Sequence, residues 1–494
     1  MRDTRPYTER TLPVTTRLER FTQKARNELQ VRFNALMGLL FDPDGLRESF
    51  ERQDGKKAPG VDGMKKEQYG ERLDERLAEL SARLRRPGYR PKPVRRTYIP
   101  KGDGRYRPPG IPSFEDRLVQ DRLSRILQAV REPEFCDCSF GFRPGRSAHD
   151  ALRRVAEVIT NEGTEWVVEA DIKGFFNHVS HSHLTRFPEH RIADPDLLRI
   201  VQRFLKAGVM ADGVFTASEE GTPQGGLVSP VLSNIYLHYV LDPWFERRYA
   251  KSCTGEAYLI RYADDYVACF EQEADARRFL TEMTQRLAQF DLEVEPSKTA
   301  LLRFGRPCSG RKAHEAQGPR TFSFLGFTHY AGRSRKGRFV VGRKTDGKRM
   351  SRKLQLLNAY LRRLRASGGQ AMVDYLRRHL RGHIQYYGVS GNSRGVAKYV
   401  YFATGLLFKW LNRRSQRRSL TWKRFGEAIR PLLPAARIVH NLYPLPWWKT
   451  QAGSRMVQHS KSGSARDRGQ AAAGSRYCGT AGKPGGQQRT PTST

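Results

Sequence analysis

Tyr262-Ala263-Asp264-Asp265 sets two acids side by side between two β-rich runs, 257–263 and 266–270. The pattern predicts a hairpin with the acid pair in its tip. Adjacent carboxylates repel and suit β-structure poorly, so a bound cation is expected to hold them. A further acid, Asp171, follows the apolar strand 166–170, at a strand end where a side chain can point into a cleft. If the two strands are neighbours in one sheet, three carboxylates converge. Hard oxygen ligands of this kind suit magnesium, which keeps waters and completes its octahedron from one or two carboxylates and substrate phosphates. Two such ions a few ångströms apart activate a hydroxyl nucleophile and stabilise a departing pyrophosphate in an in-line displacement. A four-residue YxDD match is by itself more often a plain turn. The weight therefore falls on what surrounds it.

Thr222-Pro223-Gln224-Gly225-Gly226 precedes a helical pattern, and glycines there let backbone and the Gln224 amide approach a nucleotide closely. Lys101 and Arg107, in KGDGRYRPPG, could clamp a triphosphate, Arg as a fork and Lys as a point charge. Phe175 and Phe176 follow Asp171, where one ring could exclude or stack under part of a sugar. Read singly, these features are a Gly-rich turn, surface charge and core aromatics.

The elements that must position these residues follow from periodicity. Leu29, Phe33, Leu36, Leu39 and Leu40 recur at three and four residues and predict a helix with one buried face. A turn is expected at Asp42-Pro43-Asp44-Gly45, a charged helix over 67–84, and short extended pieces at 97–100 and 110–112. From about 115 to 300, helices (117–130, 227–241, 274–290) alternate with strands (166–170, the two flanking the acid pair, and 292–294). That order predicts an α+β fold, helices against an antiparallel sheet.

Composition points to the partner. The 494 residues suggest several domains and a large core, and a net charge of +37 predicts a polyanion, nucleic acid first. Between 345 and 430 stand 20 Lys/Arg against three acids. Leucines 354, 357, 361 and 364, then Leu376, Leu380 and Ile384, mark apolar helix stripes. Arg362, Arg363, Arg377, Arg378 and Arg381 fall largely off those stripes, giving a cationic outer face. No run has the length and apolarity of a membrane span and the start lacks a signal-like stretch, so a cytoplasmic protein, free to associate with the nucleoid, is the expectation. The six scattered cysteines are read as free thiols. Residues 451–494 contain no Leu, Ile, Phe or Trp and are expected to form a disordered basic tail.

PKGDGRYRPPGIP, SFGFRPGRSAHDAL, ADIKGFF, GTPQGGLVSPVLSNIYLHYVLD, RYADD, EPSKT and FLGF stand in that order along the chain. In this they resemble the ordered blocks of bacterial group II intron reverse transcriptases, over roughly residues 20–445. RGHIQYYGVSGNS resembles that family's thumb, or maturase, domain, and DPDGLRESF with KAPGVDG its N-terminal extension. The resemblance implies a right-hand polymerase: template-holding helices in 1–90, fingers and palm in 91–344, and an all-α thumb/maturase domain in 345–450. It implies RNA-directed DNA synthesis from dNTPs with two Mg2+ ions, splicing help to the host intron RNA, and retromobility by target-primed synthesis. Partners would be intron RNA, an RNA template, a DNA or RNA primer and target DNA, with no membrane and an open oligomeric state.

Carried over by position, Asp171, Asp264 and Asp265 match the metal-binding triad and Phe176 the aromatic gate against a ribose 2′-hydroxyl. Gln224 matches the residue beside the incoming sugar, Lys101 and Arg107 the triphosphate-binding pair, and Lys298, in EPSKT, an active-site neighbour. Asn177 stands where the family pattern has Asp. Nothing after residue 450 resembles the nuclease that many relatives append, which suggests the endonuclease-lacking, class C-like type. Two other readings are kept: a splicing-only RNA-binding maturase, and a domesticated, retron-like or CRISPR-associated reverse transcriptase.

Overall fold

In strand 166–171 successive side chains face opposite ways, and both ways are apolar: Val168 and Ala170 join one core, Val167 another. Such a strand must be covered on both faces. The computed structural model, which describes residues 14–100, 106–211, 213–222, 225–304, 321–334, 336–413 and 420–444, shows how.

Helices α1 (Val14–Asn27), α2 (Pro43–Glu51) and α3 (Leu73–Arg85) come first. The short strands β1 (Val94–Arg96), β2 (Ile99–Pro100), β3 (Tyr106–Arg107) and β4 (Gly110–Ile111) follow. Then come α4 (Phe114–Arg131), α5 (Ala148–Asn161), β5 (Trp166–Asp171), α6 (His181–Glu189) and α7 (Pro195–Leu205). Strands β6 (Val209–Ala211) and β7 (Val214–Thr216) lead to α8 (Ser229–Val240), β8 (Ala257–Tyr262), β9 (Asp265–Phe270), α9 (Glu273–Ala288) and β10 (Ala300–Arg303). A meander of β11 (Thr321–Phe324), β12 (Phe327–Arg333) and β13 (Phe339–Thr345) precedes the helices α10 (Gly347–Leu364), α11 (Gly369–Tyr387), α12 (Ser393–Leu411) and α13 (Trp422–Ala428).

The central sheet runs β10-β5-β9-β8, antiparallel throughout. One face packs with α8 and α9 in a core that includes Tyr266, Ala268 and Phe270; the other packs α5 against Val167, Val267 and Cys269. A second sheet, β4-β1-β6-β7, contains one parallel pairing, β1 with β6, where an antiparallel arrangement was expected. The α+β class stands. Leu357, Leu361, Leu376, Leu380 and Leu407 build a third core among α10–α12. Arg362, Arg363, Arg378 and Arg381 are exposed on its outside and Arg377 is half-buried, as the apolar stripe required. All three cores lie in a unit ending at Pro444.

Three local expectations are corrected. Residues 28–36 are not helical; only Met37–Leu40 makes a short turn of helix. Tertiary partners outcompete the local period. Phe33 pairs with Ile192 as an isolated bridge, and the Asp194 carboxylate accepts the Leu36 and Met37 N–H groups at 2.8 and 2.7 Å. The sequence Asp42-Pro43-Asp44-Gly45 starts α2 instead of forming a free turn, with Asp42 capping the Gly45 N–H and Pro43 in the first helical turn. The stretch 292–294 supplies only a bridge, Val294 to Ile172. Cys136, Cys138, Cys253 and Cys269 are free thiols, and among the described residues no helix is long and apolar enough to cross a membrane.

Candidate active site

The acid pair does not share the hairpin tip. The two-residue turn is Ala263-Asp264, and Asp265 already begins β9. Asp171, likewise, is the last residue of β5 and the direct cross-strand partner of Asp265. Because residues two apart in a strand share a face, Asp171 and Asp265 lie on the side of Val167, Val267 and Cys269. Asp264 sits next to them on the turn.

That turn is held by a buried ion pair which motif reading passed over. The Arg261 side chain is fully buried and forks onto Asp242, Nε to Oδ1 at 2.7 Å and Nη2 to Oδ2 at 2.5 Å. Its remaining N–H groups reach the Ser139 hydroxyl at 2.9 Å, the Asn234 amide oxygen at 3.3 Å and the Ala263 carbonyl at 3.0 Å. Ala263 has φ +57°, a left-handed conformation that disfavours a residue with a Cβ by about 1–2 kcal/mol. The hydrogen bond to its carbonyl helps hold it there. Gly141 lies under the same turn: a Cβ at Gly141 would stand 2.5 Å from the Ala263 nitrogen, while Asn234 Nδ2 donates to the Gly141 carbonyl at 2.7 Å. The blocks SFGF, SNIYLHYVLD and RYADD thus meet in one buried polar cluster. The available signal was an arginine inside the apolar run LIRY and an acid ending the apolar helix HYVLD.

Electrostatics at the strand ends is uneven. Burial, then Asp171 and Asp264, push the Asp265 carboxyl up to about 7, opposed by the Leu325 backbone N–H and by the Arg349 charge. Lys298 donates its ammonium to Asp171 Oδ2, and that contact raises the lysine above its ordinary range. Lys298 is therefore brought to the site. Among the described residues no three acidic, histidine or cysteine side chains form a ready metal cage. The two strands are neighbours, with Asp171 opposite Asp265 and Asp264 on the adjoining turn, and the Asp171 carboxylate is turned to a lysine. A cation fits the charge balance here, since it would offset the burial and the neighbouring carboxylates that raise Asp265.

Phe176 lies half-buried, its ring edge-on to the buried Phe175 at 5.3 Å. Its carbonyl accepts the Thr222 N–H at 2.8 Å, which ties the start of the TPQGG block to the segment after β5. Gly225 meets β4: with φ +108°, a Cβ there would be 2.4 Å from the Gly110 oxygen. No other residue type fits that approach without displacing backbone. Lys101 and Gln224 lie outside the described residues, and Arg107 is described only through its backbone in β3.

Residues 99–329 match the reverse transcriptase (RNA-dependent DNA polymerase) family. Protein YkfC of Escherichia coli K12 is 37% identical over 231 residues, 46% of this chain and 60% of that protein. The group II intron-encoded protein LtrA of Lactococcus lactis is 35% identical over 222 residues, 45% of this chain and 37% of that protein. Nuclear intron maturase 1, mitochondrial, of Arabidopsis thaliana is 30% identical over 95 residues, 19% of this chain and 13% of that protein. The chain spans at most 60% of the length of these curated relatives. Residues 99–329 thus resemble a reverse transcriptase domain, and the proteins to which the chain is similar include one named a group II intron-encoded protein and one named an intron maturase.

Proposed function

We propose that this chain is an RNA-directed DNA polymerase that also binds its intron RNA as a maturase, promoting splicing and target-primed DNA synthesis. The observation carrying the reading is the register of the central sheet, in which Asp171 and Asp265 are cross-strand partners with Asp264 on the adjoining turn. Asp171, Asp264 and Asp265 would hold divalent magnesium, which supplies activation of a primer 3′-hydroxyl and charge neutralisation at the departing pyrophosphate. The chain's own groups do the positioning. Arg261 and Gly141 hold the turn, the Leu325 N–H favours the charged form of the Asp265 carboxylate, and Lys298 neutralises Asp171. Phe176 stands as the gate at the sugar, Gln224 beside it, and Lys101 with Arg107 as the triphosphate contacts.

In this reading 1–90 helps hold the template, 91–344 forms fingers and palm, and 345–450 forms the thumb/maturase domain. The third core with its exposed arginines supports the last assignment: a rigid helical body with an outward cationic face neutralises phosphates on folded RNA, a primer–template duplex or target DNA. Asp264→Asn or Asp171→Asn should lower primer extension on poly(A)/oligo(dT) by about 10²–10³-fold or more, with intron RNA affinity held within about twofold. Equal loss of both activities would show that the acids serve the fold. The same cationic face favours a second reading, an RNA-binding splicing cofactor with an idle polymerase. Splicing help without primer extension by the unaltered chain would select it.

A further inference from the structure

Leu325 stands in the two-residue turn between β11 and β12, where Phe324 and Phe327 are cross-strand partners. Leu325 has φ +50° and Gly326 φ +82°. Two successive left-handed residues are the backbone of a tight hairpin turn, yet leucine rarely adopts that conformation. Its side chain is buried in the core that covers the Asp171–Asp265 face. Both of its peptide groups are engaged. The N–H favours the charged form of the Asp265 carboxylate, and the carbonyl accepts the Tyr386 hydroxyl at 2.9 Å. These belong to the peptides on either side of Leu325, so φ and ψ at that residue are set from both ends.

Tyr386 belongs to RGHIQYYGVSGNS, in the C-terminal helical region. It lies near the end of α11 and is itself held. Its carbonyl accepts from His149 Nε2 on α5 at 2.8 Å, which requires the proton on that nitrogen. Its ring stacks on Phe327 at 5.9 Å and meets Tyr387 edge-on at 4.9 Å. A path therefore runs from the helical region, by the Tyr386–Leu325 hydrogen bond, through one strained residue to the surroundings of an active-site carboxylate.

We infer that Tyr386 is a positioning residue for the polymerase centre: its hydroxyl latches α11 to the Leu325 carbonyl and so fixes the turn that is packed over the face carrying Asp171 and Asp265. The inference rests on the polymerase reading and adds to it a dependence of active-site geometry on the seating of the C-terminal helices.

The test is Tyr386→Phe in the full chain, which removes one hydroxyl and keeps the ring. The kcat of primer extension should fall about tenfold, the scale of one lost hydrogen bond. The KM for dNTP and the primer–template affinity should stay within about twofold. Without metal or substrate, amide hydrogen exchange in 321–329 should quicken about tenfold while the melting temperature holds. An unchanged kcat, unchanged exchange, or a fall in melting temperature that accounts for the lost activity overturns the inference. Asp264→Asn, assayed alongside, separates the two ideas. If it leaves extension intact, the polymerase reading itself fails; if it abolishes extension while Tyr386→Phe is silent, only the latch fails.

Discussion

The strand ends of the central sheet and the surface of the C-terminal helices answer to opposite physical demands. At the strand ends a few acids are buried or half-buried, and each is held by a named partner: Lys298 on Asp171, the Leu325 N–H on Asp265, and the Arg261 network under the turn. On α10 and α11 the charges are numerous and exposed, and in the proposed role their sign and density count for more than their exact placement. Chemistry on a phosphate needs atoms placed to a fraction of an ångström. Holding a polyanion needs many weak, interchangeable contacts. One substitution should therefore disable the first region, while the second should weaken gradually.

The sharpest way to break that contrast lies in the buried pair. Asp242→Asn or Arg261→Met leaves its partner charged, buried and uncompensated, with an expected cost of about 3–5 kcal/mol, read by denaturant unfolding. Changing both residues together to apolar ones should cost markedly less than the sum of the two singles. A strictly additive double mutant would mean that the pair is not coupled.

For the helices the corresponding experiment is cumulative. Replacing Arg362, Arg363, Arg378 and Arg381 by Gln should make the plot of log affinity against log salt shallower by about three, with losses adding roughly arginine by arginine. A slope unmoved by all four would remove this face from the RNA interface.

Acid stability gives a smaller effect that touches both regions. Burial, then nearby positive charge, pulls His238 in the first core down to about 4 and His383 among the helices down to about 3. Below about pH 6.5 the unfolded chain binds protons that these native histidines refuse, so stability falls as pH drops from 6.5 toward 4. At pH 5 the loss is at most about 2 kcal/mol for each. Asp265 works the other way: held near 7, it takes up a proton before the unfolded chain does and offsets part of the loss as pH falls from 7 toward 4. His238→Phe and His383→Phe should flatten the melting temperature between pH 6.5 and 5, and a profile unchanged by both would exclude these groups.

The least disruptive variant is Phe176→Ala. Its ring is only half-buried, so the fold should hold, while ribonucleotide incorporation relative to deoxyribonucleotide should rise about tenfold, measured by competing the two in primer extension. An unchanged ratio would withdraw the sugar-gate assignment.

Much of this was legible because it is local. The apolar run 166–170 and the runs flanking the acid pair became β5, β8 and β9 with shifts of one residue, and the leucine stripes became α10 and α11. The shift at the hairpin matters, since it moves Asp265 from the tip into the strand opposite Asp171. Tight hairpin turns favour Gly, Asn or Asp; Ala263 takes the first position because Arg261 and Gly141 stabilise it from outside the hairpin. The helix expected around Leu29–Leu40 failed for the same kind of reason, as distant Ile192 and Asp194 claimed its backbone.

By itself the chain determined which segments alternate, which carry a stripe, where positive charge accumulates and which seven motifs follow one another, because these depend on neighbours a few residues apart. Tertiary structure alone decided that Asp171 faces Asp265, that Arg261 takes Asp242, and that Tyr386 reaches Leu325. Each of those contacts closes a long loop, and only the burial of the surrounding apolar faces offsets the entropy of closing it.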